Sequence, residues 1–220
     1  MITILIVDDH DLVRAGIRSL LASVNGMKVI GEAATGEEAV KVAREKRPNV
    51  VLMDVRMPGI GGLEATRKLI RADPDIKVIA LTVCGGEPFP SKLLQAGAAG
   101  YLTKGSGLDE MVQAIQSVFH GKRYLSPVVA QELALKHLSD EKASPFETLS
   151  ERELQVMMMI VSGQKVQEIS DKLFLSPKTV SSYRYRLFEK LNVHSDVELT
   201  HLAIRHGILD SETLDSEPAV

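Results

Sequence analysis

The chain has 220 residues, enough for one large domain or two small ones, and its 45% hydrophobic and 25% charged content is ordinary for a globular protein. No run of 18 apolar residues marks a membrane span, and a formal net charge of −3 does not by itself point to nucleic acid. One cysteine, Cys84, excludes an internal disulfide and fits a reducing compartment. A strand pattern starts within two residues of Met1, so neither signal peptide nor span is expected and a cytoplasmic location is.

Ile2–Val7 is an apolar, β-branched run closed by Asp8-Asp9, the pattern of a buried strand. Leu12, Val13, Ile17, Leu20 and Leu21 recur at helical spacing until Asn25-Gly26. Met27–Ala33 reads as strand, and Thr35 with Glu38 forms a capping box that opens a helix to about Lys46. Val50 to Met53 is unbroken apolar sequence stopping at Asp54, and Pro58, Gly59, Gly61 and Gly62 mark a loop directly after it. Helix is expected over 63–72, strand over 76–82, helix around 91–96, strand around 100–104 and helix over 108–120.

Five strand–helix units require parallel pairing and right-handed crossovers, hence a doubly wound α/β sheet of five strands with expected order 2-1-3-4-5. Strands 1 and 3 then flank the switch point, where ligands gather at the carboxyl edge. That edge would collect Asp8, Asp9 and Asp54, with Thr82 and Lys104 from the last two strands. Crowded carboxylates need a cation, and an oxygen-rich site with few protein ligands suits Mg²⁺. A carboxylate can also accept a phosphoryl group; Mg²⁺, the Lys104 ammonium and the Thr82 hydroxyl would neutralise, pair with and sense it. Taken singly, Asp54 could equally be a cap or loop brace, Lys104 a surface lysine and Thr82 a plain strand residue.

This set on five strand–helix units resembles the receiver domain of two-component response regulators over nearly all of residues 1–122. The resemblance implies phosphorylation of Asp54 by a sensor histidine kinase. It implies Mg²⁺ held by Asp9, Asp54 and the Arg56 backbone carbonyl, with Asp8 helping through water, and a switch made of Thr82, Tyr101 and Lys104. Two features depart from the family pattern. Gly105 follows the lysine where many receivers have proline, and the Gly- and Pro-rich stretch 83–90 is expected to leave the next helix short or mobile.

Residues 124–138, opened by Ser126-Pro127, read as an amphipathic helix outside both domains, and 139–148 as a polar linker. Ser150 with Glu153 is a second capping box. Helices are expected from there to Val161, over 166–174, from Pro177 to Leu191 after a Leu175-Ser176-Pro177 turn, and over 196–206. Met157-Met158-Met159 reads as core filling. Two short helices joined by a tight turn suit helix-turn-helix DNA binding, and the stretch 176–190 carries Lys178, Arg184, Arg186 and Lys190 against Glu189 alone. The bland alternative is a solvated helix face. The DNA-facing set expected is Lys165, Lys178, Thr179, Ser181, Ser182, Arg184, Tyr185 and Arg186.

Leu149-Ser150-Glu151-Arg152-Glu153, Glu168-Ile169-Ser170 and Leu175-Ser176-Pro177-Lys178-Thr179-Val180 resemble the four-helix DNA-binding domain of the NarL/FixJ (LuxR-type) regulators. The tracts 7–17 and 57–68 and Tyr183-Arg184-Tyr185-Arg186 resemble the branch of that family served by hybrid sensor kinases of the GacS/BarA kind. That resemblance implies such a kinase as phosphodonor and promoters of small regulatory RNAs as targets. The expected layout is a receiver at 1–122, a linker helix and linker at 123–147, the DNA-binding domain at 148–210 and a disordered acidic tail at 211–220. The expected function is a phosphorylation-switched transcriptional activator, dimeric when active and not an enzyme, whose unmodified receiver covers the recognition helix. Two rivals are a small phosphatase working through an aspartyl phosphate and an adaptor whose last third binds protein. Asp54-Val55-Arg56 lacks the second carboxylate such a phosphatase uses as general acid.

Overall fold

The computed structural model describes residues 1–82, 89–138, 144–206 and 208; Cys84, most of the Gly/Pro-rich loop, linker residues 139–143 and the acidic tail lie outside the described residues. The chain forms two compact units. The first contains β1 (Ile2–Val7), α1 (Asp11–Ala22), β2 (Met27–Ala33), α2 (Gly36–Lys46), β3 (Val50–Asp54) and α3 (Gly61–Ala72). It continues with β4 (Lys77–Thr82), α4 (Phe89–Gln95), β5 (Gly100–Thr103), α5 (Leu108–Phe119), β6 (Tyr124–Leu125) and α6 (Pro127–Leu138).

The sheet is parallel throughout, in the order β2-β1-β3-β4-β5-β6. Its central strands are apolar on both faces because both faces are covered. Ile4, Ile6, Val50, Leu52, Ile79 and Leu81 point into a core built with α1 and α5, while Leu5, Val7, Val51, Met53, Val78 and Ala80 are equally buried opposite. Truncating a fully buried residue such as Leu52 to Ala would cost about 2–5 kcal/mol. Register carries the chemistry to one edge: Val7 lies beside Met53, Asp54 beside Leu81, and Thr82 beside Thr103.

Two expectations for this unit are corrected. The sheet has six strands, because Tyr124 and Leu125 pair with Gly100 and Tyr101 instead of opening a helix. Their backbone donors meet the otherwise free edge of β5, with Tyr124 N–H on the Ala99 carbonyl (3.1 Å) and Ser126 N–H on the Tyr101 carbonyl (2.9 Å). Nor does α6 stand outside both units. It packs on β5 through the buried Val129, while Val128 and Leu135 face solvent, so its apolar residues do not form one stripe.

Among the described residues the second unit holds a 3₁₀ turn (Pro145–Thr148) and four helices: α7 (Glu151–Val161), α8 (Val166–Leu173), α9 (Pro177–Leu191) and α10 (Asp196–Arg205). The 3₁₀ turn corrects the linker expectation, since Phe146 is fully buried with its ring edge-on to His206 at 5.5 Å. The Ser150–Glu153 capping box forms as expected, with Glu153 N–H on Ser150 Oγ (3.3 Å) and Ser150 N–H on Glu153 Oε2 (2.7 Å). Leu154, Met157, Ile169, Leu173, Val180, Leu187, Leu191 and Leu199 fill the core. Phe174, expected inside α8, instead caps it in left-handed conformation at φ 54°. No helix among the described residues is long and apolar enough to cross a membrane.

Candidate functional site

Four strand ends meet at the carboxyl edge of the first unit. Asp8, just past β1, is fully buried, Asp54 closes β3 with 2% exposure, and Asp9 is partly open to solvent. Lys104, following β5, places Nζ 2.8 Å from Asp54 Oδ2, where it donates a hydrogen bond, and 2.8 Å from Asp8 Oδ2. The one ammonium is thus shared between the two buried carboxylates. Arg56 N–H donates to Asp54 Oδ1 at 3.2 Å. Thr82, at the end of β4, is buried, and its carbonyl accepts the Lys104 N–H at 2.6 Å. Tyr101 lies in the interior of β5, 1% exposed.

Local backbone holds this edge in shape. Gly62 runs so close beneath β3 that a Cβ there would sit 2.0 Å from the Asp54 carbonyl oxygen. Only glycine permits that approach. Gly62 N–H closes the loop on the Val55 carbonyl at 3.2 Å.

The electrostatics follow from burial. Desolvation pushes the Asp54 carboxyl up to about 7; the Asp8 charge adds to the shift, while Lys104 and the Arg56 N–H work against it. Burial opposes the Lys104 charge, but Asp54 and Asp8 outweigh it and leave the ammonium above its ordinary value.

Two residues of the tract 7–17 join the site without having been expected in it. His10 brings Nδ1 to 2.9 Å from Asp9 Oδ1 and 3.2 Å from Asp8 Oδ1, so that Asp8, Asp9, His10 and Asp54 each present a ligand atom within 4.8 Å of the others. Arg14, on α1, donates from Nη1 to the Asp8 carbonyl at 2.6 Å and pairs with Asp11 and Glu32. Three carboxylates gathered at one edge, Asp9 open to solvent, make an oxygen-rich group that fits a hard divalent cation such as Mg²⁺.

In the second unit, Ser176 caps α9 by accepting the Thr179 N–H at 3.1 Å, with Pro177 in the first helical position. Lys178, Ser181, Ser182, Tyr185 and Arg186 are exposed along α9, and Thr179 is half-buried. Ser176, Lys178, Thr179, Ser182, Tyr183 and Arg186 line one depression of about 320 Å³. Lys165 is exposed at the start of α8. Arg184 departs from the expected DNA-facing set. Its Nε and Nη2 each donate at 2.8 Å to the two oxygens of Asp196 on α10, and its guanidinium lies 4.9 Å from the Phe188 ring centre. Lys190 is likewise engaged, 2.6 Å from Glu153 Oε2. Among the described residues no carboxylate pairs with Lys178 or Arg186, so these are the bases that α9 presents outward.

Comparison with known proteins agrees with this division. Residues 4–116 match the response regulator receiver domain, and residues 147–203 match the bacterial regulatory proteins of the luxR family. The chain is a LuxR-type response regulator. This regulator is 65% identical over 211 residues to the response regulator GacA of Pseudomonas protegens, covering 96% of this chain and 99% of GacA. It is 61% identical over 218 residues to the response regulator UvrY of Escherichia coli, covering 99% of this chain and all of UvrY. A solved structure of two RcsB dimers bound to two parallel DNAs superposes with a TM-score of 0.57 at 27% identity, covering 91% of this chain and 96% of RcsB. As a LuxR-type response regulator the chain combines a phosphoacceptor-type domain with a DNA-binding domain for transcription regulation.

Proposed function

We propose that Asp54 is the phosphoacceptor of this regulator and that its phosphorylation switches binding to promoter DNA. The observation that carries the reading is the single ammonium of Lys104 lying 2.8 Å from both Asp8 and Asp54 at the carboxyl edge of the sheet. An Asp54 carboxylate oxygen attacks the phosphorus of a phosphohistidine on a sensor kinase; the new O–P bond forms as the P–N bond breaks, and the imidazole nitrogen leaves with the bonding pair. Lys104 pairs with the charge that the transferred group brings. Thr82 would meet its oxygens and Tyr101 would follow Thr82, a reading that the burial of both side chains supports. Asp8, Asp9, Asp54 and the Arg56 carbonyl would hold Mg²⁺, which when bound neutralises charge on the transferred phosphoryl group.

In this reading the receiver runs through β6 and α6, residues 1–138, the DNA-binding domain starts at the 3₁₀ turn of Pro145–Thr148, and 211–220 is an acidic tail. Lys178, Thr179, Ser181, Ser182, Tyr185 and Arg186 face DNA from α9, Lys165 contacts phosphate from the start of α8, and Arg184 chiefly fixes α9 to α10. The likeness to GacA and UvrY supports a cytoplasmic regulator that activates transcription, takes its phosphoryl group from a hybrid kinase of the GacS/BarA kind and acts on small regulatory RNA promoters. The RcsB dimers on DNA support a homodimeric active form. Incubating the full chain with a low-molecular-weight phosphodonor should label the wild type and not Asp54→Asn, and should tighten DNA binding of the wild type alone. Full labelling of Asp54→Asn would remove Asp54 from this role.

A further inference from the structure

We propose that His10 is a nitrogen ligand through which the acidic crevice takes a divalent transition ion such as Mn²⁺ more tightly than Mg²⁺. The inference rests on the proposed cation site and adds a residue and a selectivity to it. Asp9 Oδ1 and Asp8 Oδ1 lie 2.9 and 3.2 Å from His10 Nδ1. In an octahedral shell with bonds of about 2.1 Å, neighbouring ligand atoms stand about 3.0 Å apart. Each carboxylate oxygen thus already stands from the imidazole nitrogen at the spacing of adjacent ligands in such a shell, with Asp54 supplying a further oxygen within 4.8 Å. The backbone keeps the imidazole there, because His10 N–H donates to Asp8 Oδ1 at 2.9 Å while Arg14 grips the Asp8 carbonyl. Imidazole binds transition ions well, whereas Mg²⁺ prefers oxygen and keeps its waters, so His10 adds affinity for the former alone.

The same distances would also suit an imidazole hydrogen-bonded between two carboxylates, and experiment separates the two arrangements. The full-length protein, stripped of metal, is titrated with Mn²⁺ while free Mn²⁺ is followed by electron paramagnetic resonance, and Mg²⁺ is measured by competition. Bound Mn²⁺ in the wild type should show a nitrogen hyperfine coupling. His10→Ala should lose that coupling, bind Mn²⁺ at least about tenfold more weakly, the least that loss of even an outer-shell partner of a metal site costs, and leave Mg²⁺ affinity unchanged. Because the wild-type coupling decides the ligand directly, the test survives a variant that fails to fold. Mn²⁺ bound without nitrogen coupling, or Mn²⁺ and Mg²⁺ weakened alike by the substitution, overturns the inference and leaves the cation site standing. Binding of neither ion by the wild type overturns the site and the inference together.

Discussion

Replacing Asp54 by its neutral isostere should stabilise this regulator in metal-free buffer, by an amount that grows with pH. The Asp54 carboxyl stands at about 7 in the fold against 3.8 for an unperturbed aspartate, chiefly because it is buried. The folded state therefore holds the proton more tightly than the unfolded chain does. A raised carboxyl contributes stability in full below the unfolded value, and that contribution is lost as pH rises from about 4 to about 7. At about 1.4 kcal/mol per pKa unit, the loss reaches a ceiling of about 4 kcal/mol above neutrality. The flanking Lys104 titrates with Asp54 as a pair, which lowers the expected difference to about 1–3 kcal/mol. Urea unfolding of the full chain in chelator, followed by circular dichroism at pH 5, 6, 7 and 8, reads it directly. Asp54→Asn should match the wild type near pH 4.5 and pull ahead steadily above it, and added Mg²⁺ should close the gap by stabilising the wild type. A variant less stable at every pH, or a difference that ignores pH, would refute the argument.

Other consequences are as direct. Gly62→Ala forces a Cβ onto the Asp54 carbonyl oxygen, so the first unit should lose more than about 2 kcal/mol and the protein should label poorly; unchanged unfolding and labelling would contradict that contact. Lys178→Ala should weaken binding to duplex DNA and make its salt dependence shallower by about one unit of slope, the signature of one lost phosphate contact. Arg184→Ala should instead destabilise the second unit by the worth of a half-exposed bidentate pair, about 0.5–1 kcal/mol in urea unfolding, and a salt slope that falls as for Lys178→Ala would return Arg184 to the DNA face. The Glu153 carboxyl is held below its ordinary value: burial opposes its charge, but Lys190 and the Ser150 donors prevail. A lowered carboxyl stabilises above its unfolded value and loses that as pH falls through the folded one. Acid unfolding of the second unit should therefore shift in Glu153→Gln, which loses the dependence; superimposable acid profiles would rule the pair out as its source.

The sheet could be read from sequence because its central strands are buried on both faces, so Ile2–Val7 and Val50–Asp54 appear as unbroken apolar runs that each end in carboxylates. The topology then brings Asp8, Asp54 and Lys104 together without further information. What escaped is what depends on partners distant in sequence or on backbone alone. β6 is two residues long and is defined by the donors it aims at β5, a property no residue pattern carries. Arg184 has the composition of a DNA contact, and only the fold shows Asp196 of the next helix taking both its donors. His10 looks like an ordinary loop residue until Asp8 and Asp9 turn towards it.

The buried ring of Phe146 sets a practical boundary for dissecting the molecule. The match to the luxR family begins at residue 147, one position after that ring has taken its place against His206. A fragment cut to the family boundary would start life with a phenyl-sized hole at its base, a defect worth about 3–5 kcal/mol. Against the marginal stability of so small a bundle, that is enough to make a sound DNA-binding half look intrinsically unfolded.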